Sequence, residues 1–574
     1  MRSSRFAATC VTATVAIGMT WATAPLASAA ANGPSPHRAA AAAQAANPSY
    51  IESGSNTVAT AEPAVTLPNT RHCTVTLADH FMSNSPTGAP QNYSGTLTPP
   101  KACQGPWAKV VLNSTTSVSG RQYDRSGSLE IGGATVWFGT TQEPAGATPT
   151  TFSFAKDITE FTSLLKTPQQ FSGGIGNYVT NVYTGNYDQT VSITYYMADR
   201  ANPAPTEPDK VIGVPISDLS PGNSTATATL TDLPRNITGA RLETTLKGNG
   251  CDEQWFTAVP NQVAADFPGD GLCAAGAYRE ALVSVDGTRA GAVGTFPHIY
   301  SGGIVPTLWR PVLAIDTLDL RPESLDLTPF AGQLVDGKSH TISVTINPIG
   351  DVWNVTAVLF LYTDHHLKQT SGGLISSSVP AAPTTKTTAG PLTNGSVTYD
   401  ETASRADTLT GYVNTSAGRV VTTVTTNRNY DNSGTIGDAG LVQSIKQTDD
   451  MSSQSVSRIG RRIISSSTLK ESYPISVDFS AASYVDDNNF SLSGTVDMSQ
   501  IVASATSSTG QRWPTLRAWD WNVSSYGVLA RANGVTSESD GHSTTSYVGT
   551  NDIGRFYWDQ ITTDHGQVTS NKHS

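Results

Sequence analysis

The sequence predicts an all-β chain: two adjacent antiparallel β-sandwich domains followed by a β-rich C-terminal region. Three observations predict this. Charged residues are only 14% of the 574-residue chain, against 50 Gly and 33 Pro. That balance suits turn-rich antiparallel sheet, not helix bundles, which need Glu, Lys and Leu. Short apolar or alternating runs recur between Gly-containing turns. One segment pattern also occurs twice. A chain of this length exceeds a single core, so about two to four domains are expected.

Taken in order, residues 1–29 read as an export signal. Arg2 and Arg5 form its basic end, an Ala/Val/Ile-containing stretch runs to about Trp21, and Ala27-Ser28-Ala29 offers a small-residue cleavage site. A secreted protein is therefore expected. Residues 30–62 are Ala/Pro/Ser-rich with few apolar anchors and read as a disordered leader. A first sandwich is expected over 63–200, with strands at Lys109–Leu112, Ala134–Phe138 and Thr190–Tyr196, the last alternating Val191, Ile193, Tyr195. The Pro-rich run Ala201–Pro208 is a stiff linker. A second sandwich follows over 209–366, with a hairpin signal at Asp286-Gly287 and a strand at His340–Ile346. Ser/Thr/Pro-rich sequence from Ser371 to Thr393 marks a further boundary. Residues 394–574 form the β-rich C-terminal region, as in Arg419–Val424.

The first signal of duplication is that Asp157–Leu165 matches Asp326–Leu334. In both, an Asp placed as a helix cap opens one short helical turn before the last strands. Lys109–Arg125 loosely matches Ala240–Trp255: a strand, a Gly-containing end, then an acid beside an aromatic residue. The match puts Asp124 and the Asp252-Glu253 pair at equivalent strand ends. If the copies pack side by side, those carboxylates face one cleft, and domain junctions often form pockets.

Gly120-Arg121-Gln122-Tyr123-Asp124-Arg125 is the segment richest in chemistry. A carboxylate sits between two guanidinium groups and beside a ring, at a strand end. Nearby cations keep an Asp ionised, and a ring offers a platform for a sugar face. The plain alternative is a structural ion pair. After loss of Cys10 with the signal, Cys73, Cys103, Cys251 and Cys273 remain. An even count in an exported chain reads as two disulfides. Nearest-neighbour pairing, Cys73 with Cys103 and Cys251 with Cys273, is the simplest of three connectivities. It would staple loops beside the cleft.

Several classes are disfavoured. A net charge of -11 with no Lys/Arg-rich block argues against nucleic acid or an anionic membrane as partner. No later segment approaches a membrane-spanning helix. There is no G-x-S-x-G, H-E-x-x-H or phosphate loop. Without CxxC or HxxxH spacing, no metal and no cofactor are expected.

A run of motifs in fixed order resembles the peptide-N-glycanase A family, amidases acting on N-linked glycopeptides. It begins with Thr98-Pro99-Pro100, Gly105–Leu112, Gly120–Arg125, Glu143-Pro144 and Lys156–Thr159. It continues through Tyr183-Thr184-Gly185, Asp252–Phe256, Tyr278-Arg279-Glu280, Tyr300–Ile304 and Leu308–Pro311. The resemblance implies hydrolysis of the amide joining Asn to the first N-acetylglucosamine, with N-linked glycopeptides or glycoproteins as partners. Tyr123-Asp124-Arg125 is also similar to an aromatic-Asp-Arg motif of flavobacterial-type N-glycanases, which are built of two adjacent jelly rolls and use an essential Asp. That implies Asp124 as a catalytic residue, with Glu253 as the second-domain counterpart. A third acidic position falls on Asn177, where this chain departs from the pattern.

The roles that follow are specific. Asp124 orients or activates the attacking group, held by Arg121 or Arg125, and Glu253 positions water or handles the leaving-group proton. Trp255, Trp309 and Arg310 grip the sugar, with Asn177, Asp252 and Glu280 also lining the substrate site. Each has a plain alternative: Trp309 as core, Glu280 as an ion-pair partner, Glu143 as a turn acid. The rival function is a non-catalytic β-sandwich lectin for N-glycans, which needs no pair of carboxylates across a junction.

Overall fold

Alternation becomes strand wherever it was expected. In the first unit the strands are β1 (His72–Ser83), β2 (Tyr93–Leu97), β3 (Trp107–Ser119), β4 (Ser126–Ile131), β5 (Ala134–Thr140), β6 (Thr150–Asp157), β7 (Gln169–Ile175) and β8 (Asn186–Met197). They form two antiparallel sheets, ordered β1-β8-β3-β6 and β2-β7-β4-β5. The second unit has β9 (Lys210–Val214), β10 (Thr225–Leu230), β11 (Ile237–Gly248), β12 (Ala281–Val285), β13 (Thr288–Val293), β14 (Glu323–Asp326), β15 (His340–Ile346) and β16 (Trp353–Thr363). Its sheets are ordered β9-β16-β11-β14 and β10-β15-β12-β13. Adding eight to each label of the first unit reproduces the second, so the duplication extends to every strand pairing.

The local match behind that repeat is physical. Asp157 Oδ1 accepts from the Thr159 N–H at 3.0 Å, and Asp326 Oδ1 accepts from the Thr328 N–H at 2.8 Å. Each short carboxylate pins the start of a helical turn. The next contact is also shared: Ile158 N–H donates to Val110 O, and Leu327 N–H to Ala240 O, both at 2.9 Å. The turn thus docks on the same place in β3 and β11.

This computed structural model describes residues 58–84, 91–144, 149–268, 271–486, 488–511 and 513–574. The expected export signal and all but the end of the expected leader lie outside them. The leader's last residues are ordered and packed. Ala59 N–H donates to Pro311 O at 3.0 Å, and Ala61 is fully buried.

The run from Ser371 to Thr393 holds strands where a boundary was expected. Ser371–Ser378 and Thr384–Ala389 both pair with the long strand Val397–Thr415. They belong to a 12-stranded antiparallel sheet that continues to His573. Its strands alternate buried and exposed, as Val397–Thr415 does, so one face packs inward. That face shares a core with the second unit, where Tyr430, Tyr473, Trp521 and Tyr547 join Phe296, Trp309 and Phe330. Paired buried charges add register: Arg405 makes two bonds to Glu280, at 2.9 and 2.7 Å, and Arg428 pairs with Asp449.

Both disulfides have the nearest-neighbour pairing, with Cα–Cα distances of 6.1 Å for Cys73–Cys103 and 5.3 Å for Cys251–Cys273. Only the second braces the candidate site. Cys73–Cys103 lies at the start of β3, whereas Asp124 follows its far end.

Candidate active site

The two sandwiches meet along a seam, and the seam brings Asp124 and Glu253 together. Asp124 lies between β3 and β4. Its Oδ2 accepts from the Gly302 N–H of the second unit at 3.0 Å. Gly302 belongs to a tight turn closed by Gly303 N–H to Tyr300 O at 2.9 Å, and Trp309 Nε1 clamps Gly303 O at 2.9 Å. A side chain at Gly302 would have to displace the Glu143 carboxylate. A Cβ there would stand 2.4 Å from Glu143 Oε2 and 3.4 Å from Asp124 Oδ2. Glu143, just after β5, is therefore a third carboxylate beside Asp124.

Further bonds stitch the seam. Ser301 Oγ donates to Thr141 O at 2.9 Å and accepts from the Glu143 N–H at 2.6 Å. Gln142 Nε2 reaches Trp309 O at 3.2 Å, and Arg310 Nη2 lies 3.6 Å from Glu143 Oε1. Glu253 enters from the other side, at the end of the turn Gly250–Asp252 that follows β11. Lys247, near the end of β11, packs 4.9 Å from the Tyr300 ring centroid, and its charge acts on both Glu253 and Asp124.

Burial dominates the electrostatics. It raises the Asp124 carboxyl above its ordinary range, opposed by the Gly302 N–H and the charges of Lys247 and Arg125. Burial likewise raises Glu253, helped by the Asp124 charge and opposed by Lys247. Glu143 is pushed to about 8 by burial, with Arg310 pulling down and Asp124 pushing up. Clustered carboxyls cannot all ionise cheaply, and Glu143 holds its proton at neutral pH. Perturbed acids in a seam between domains mark a catalytic candidate.

Next to the acids is an aromatic shelf. The Tyr123 and Tyr183 rings are 4.8 Å apart and their hydroxyls 2.9 Å apart. Arg125 lies over the Tyr178 ring at 4.4 Å, and Arg121 over Tyr183 at 5.5 Å. Tyr123 is 43% exposed, so part of its ring is open to solvent beside the acids. The expected clamp of Asp124 by Arg121 or Arg125 is replaced. Arg125 spends its guanidinium on Gln122 Oε1 and acts on Asp124 by charge, while the backbone of Gly302 holds the carboxylate.

Other expected substrate residues turn out to be structural. Asp252 is fully buried, paired with Arg279 at 2.6 Å, and accepts from Trp353 Nε1 at 2.6 Å and the Gly350 N–H at 2.7 Å. These donors hold its carboxyl below the usual range. Glu280 is consumed by Arg405 and the Tyr278 hydroxyl. Trp255 and Trp309 are core residues, 2% and 0% exposed. Asn177 is buried, its Nδ2 donating to Ser83 O at 2.6 Å and Gly185 O at 3.1 Å. Each is partnered or packed within the protein. Asp252→Ala should cost about 3–5 kcal/mol, because Arg279 is left charged and unpaired in the interior. Urea unfolding checks it, and an unchanged midpoint would remove the structural assignment.

Lys247, Tyr300, Gly302 and Glu143 were missed as site residues. Glu143 and Gly302 lie within conspicuous motifs, but nothing in linear sequence sets them side by side. Lys247 carries no signal beyond a cation near a strand end.

Residues 62–380 match the family "Peptide N-acetyl-beta-D-glucosaminyl asparaginase amidase A". The chain is 31% identical over 407 residues to peptide-N4-(N-acetyl-beta-glucosaminyl)asparagine amidase A of Prunus dulcis, covering 67% of this chain and 70% of that protein. Among solved structures it is similar to PNGase F, a glycosylasparaginase from Flavobacterium meningosepticum. That likeness has 13% identity and a TM-score of 0.33, covering 51% of this chain and 96% of the other. PNGF-II is similar at 15% identity and a TM-score of 0.33, over 51% of this chain and 66% of that one. On the match to its family and to the Prunus dulcis amidase, this chain belongs to the peptide N-acetyl-beta-D-glucosaminyl asparaginase amidase A family.

Proposed function

We infer that the chain is a peptide-N4-(N-acetyl-beta-glucosaminyl)asparagine amidase: it hydrolyses the amide between Asn and the proximal N-acetylglucosamine of N-linked glycopeptides. Water adds to the carbonyl carbon, the C–N bond breaks, and Asn becomes Asp. The glycan leaves as a glycosylamine, which loses ammonia in water. The observation that carries this reading is the joining of Asp124 to Gly302 across the seam, with Glu143 and Glu253 beside it.

The chemistry divides naturally between the acids. Asp124 is fixed by a backbone donor, which favours its ionised form, and it takes the proton of the attacking water. Glu253, balanced by Lys247, orients that water. Glu143, neutral below about 8, gives a proton to the departing nitrogen, and the nearby Arg310 steadies the carboxylate left behind. The shelf of Tyr123, Tyr178 and Tyr183 receives sugar faces, and Arg121 and Arg125 add donors at its rim. The matching strand orders also lead us to read both sandwiches as jelly rolls. A secreted protein acting outside the cell is consistent with its paired cysteines.

The experiment is cleavage of an N-glycopeptide in ¹⁸O-water. One labelled oxygen should appear in the new Asp side chain, with free glycan released. Retained glycopeptide would favour the lectin, and cleavage between sugars would indicate a glycosidase instead.

A further inference from the structure

The C-terminal sheet carries a cluster of metal-ligating side chains that the amidase chemistry does not use. Asp540 and His542 stand on the strand Val535–Thr550. Asp564 and His565 stand at the turn between the strands Phe556–Asp564 and Gln567–His573. Ligand atoms of Asp540, His542 and His565 all lie within 4.8 Å of one another. We propose that Asp540, His542 and His565 form a binding site for a divalent transition-metal cation of the Zn²⁺ type, with Asp564 orienting His542 from behind.

Sequence places the pieces by strand periodicity. Residues two apart share a face, so Asp540 and His542 point together, while Gly541 between them faces the opposite way. That opposite side is filled: a Cβ on Gly541 would stand 2.0 Å from Thr307 O of the second unit. The cluster therefore lies on the face of the sheet turned away from that contact. Tyr526, on the neighbouring strand, packs its ring 6.1 Å from that of His542.

The turn is aimed at the cluster. His565 has φ +51, a left-handed conformation that a non-glycine side chain seldom adopts. Gly566 N–H donates to Gly541 O at 3.2 Å, which docks the turn against the strand. His565 Nδ1 then lies 2.9 Å from Asp540 Oδ1. Backbone strain is here combined with convergent ligand side chains, a pairing common at functional sites.

The decisive detail is the state of His542. Its Nδ1 is bonded to Asp564 Oδ1. A carboxylate holding one ring nitrogen leaves the lone pair of the other facing outward, the arrangement that orients His toward metals. His542 Nε2 is buried without a hydrogen-bond partner, 3.3 Å from Asp540 Oδ2. A neutral imidazole held this way would turn its Nε2 lone pair toward Asp540 Oδ2 across that gap. In a tetrahedral site, ligand atoms about 2.1 Å from Zn²⁺ stand roughly 3.4 Å apart, so this spacing suits an ion between them. Two imidazoles and a carboxylate are the donor set of Zn²⁺-type ions, unlike the all-oxygen cages of Ca²⁺ and Mg²⁺. The linear reading expected no metal because these ligands come from two strands and a turn, not from a short spaced motif.

The test uses the full mature chain without a histidine tag, titrated calorimetrically with Zn²⁺ and, separately, with Co²⁺. One equivalent of Zn²⁺ should bind. Co²⁺ should give the visible d–d absorption of a four-coordinate ion, abolished by added Zn²⁺. His542→Gln should weaken Zn²⁺ binding by more than about 100-fold, and Asp564→Asn by about 10–100-fold. His565→Asn tolerates the left-handed turn, so it separates lost ligation from lost folding. In that variant the metal-free melting temperature should stay near the parent's, while the rise produced by Zn²⁺ disappears. Absence of stoichiometric binding would overturn the site and leave these groups as a structural ion-pair network. Undiminished binding in His542→Gln would overturn it equally.

Discussion

Asp124→Asn should lower kcat on an N-glycopeptide by about 100-fold to 10,000-fold while leaving KM within a few-fold of the parent. The substitution keeps the shape of the side chain, and the amide oxygen can still accept from the Gly302 N–H. What is lost is the basic oxygen that takes a proton in the transition state. A residue that only braced the seam would behave differently, since the near-isosteric amide preserves the brace. Stopped-time assays by mass, counting Asn-to-Asp conversion, give both constants. Activity equal to the parent would remove Asp124 from the chemistry and bring forward Glu253 and Glu143. A raised KM at unchanged kcat would make it a binding residue.

The companion variant Asn177→Asp separates chemistry from packing. Asn177 Nδ2 donates to two backbone carbonyls, at 2.6 and 3.1 Å, in a buried pocket. An Asp there replaces a donor with a negative charge aimed at carbonyl oxygens. Its effect should fall on stability, with a smaller loss of turnover per folded molecule than for Asp124→Asn.

How far the sequence revealed all this can be traced through particular residues. Strands such as His340–Ile346 were legible because alternation with period two is a direct imprint of a half-buried sheet. The duplication was legible because the two pinning aspartates, Asp157 and Asp326, make the same local bond. Asp124 was legible in its own charged segment, and the family resemblance and the duplication set it and Glu253 at matching strand ends. Asp252 and Glu253 are adjacent, yet one is sealed into an ion pair and the other faces the seam. No local pattern separates them, because Arg279 arrives from a later loop and Trp353 from a distant strand. Conspicuous aromatic residues misled in the same way: Trp255 and Trp309 fill the core, while tyrosines on loops carry the exposed shelf. Large apolar rings are stabilised by burial, and rings with a polar end tolerate a wet edge more readily. Glu143 was read as a turn acid because its neighbour Gly302 is 159 residues away and the seam that joins them is tertiary.

Glu143→Gln should abolish the alkaline limb of the pH profile along with most of the activity. Burial pushes the Glu143 carboxyl from its ordinary 4.5 to about 8, so the parent holds the proton through neutral pH and loses it as pH rises through about 8. If that proton goes to the departing nitrogen, kcat/KM falls on the same limb, since this ratio reports the free enzyme. Glutamine cannot give the proton up. The variant should therefore be slower by about 100-fold or more and flat across that limb. Stability provides an independent readout with a defined sign. The folded state binds this proton more tightly than the unfolded chain, so its contribution is complete below the ordinary carboxyl pKa and is lost as pH rises through about 8. Glu323, also raised to about 8 by burial, acts in the same direction. The parent's melting temperature should fall from about pH 5 to about pH 8, and it should fall less in Glu143→Gln. A parent profile that stays level well above pH 8, or an alkaline limb that persists unchanged in the variant, would assign the leaving-group proton to another acid. Glu253 would be the first candidate, because its carboxyl is also raised by burial and by the charge on Asp124.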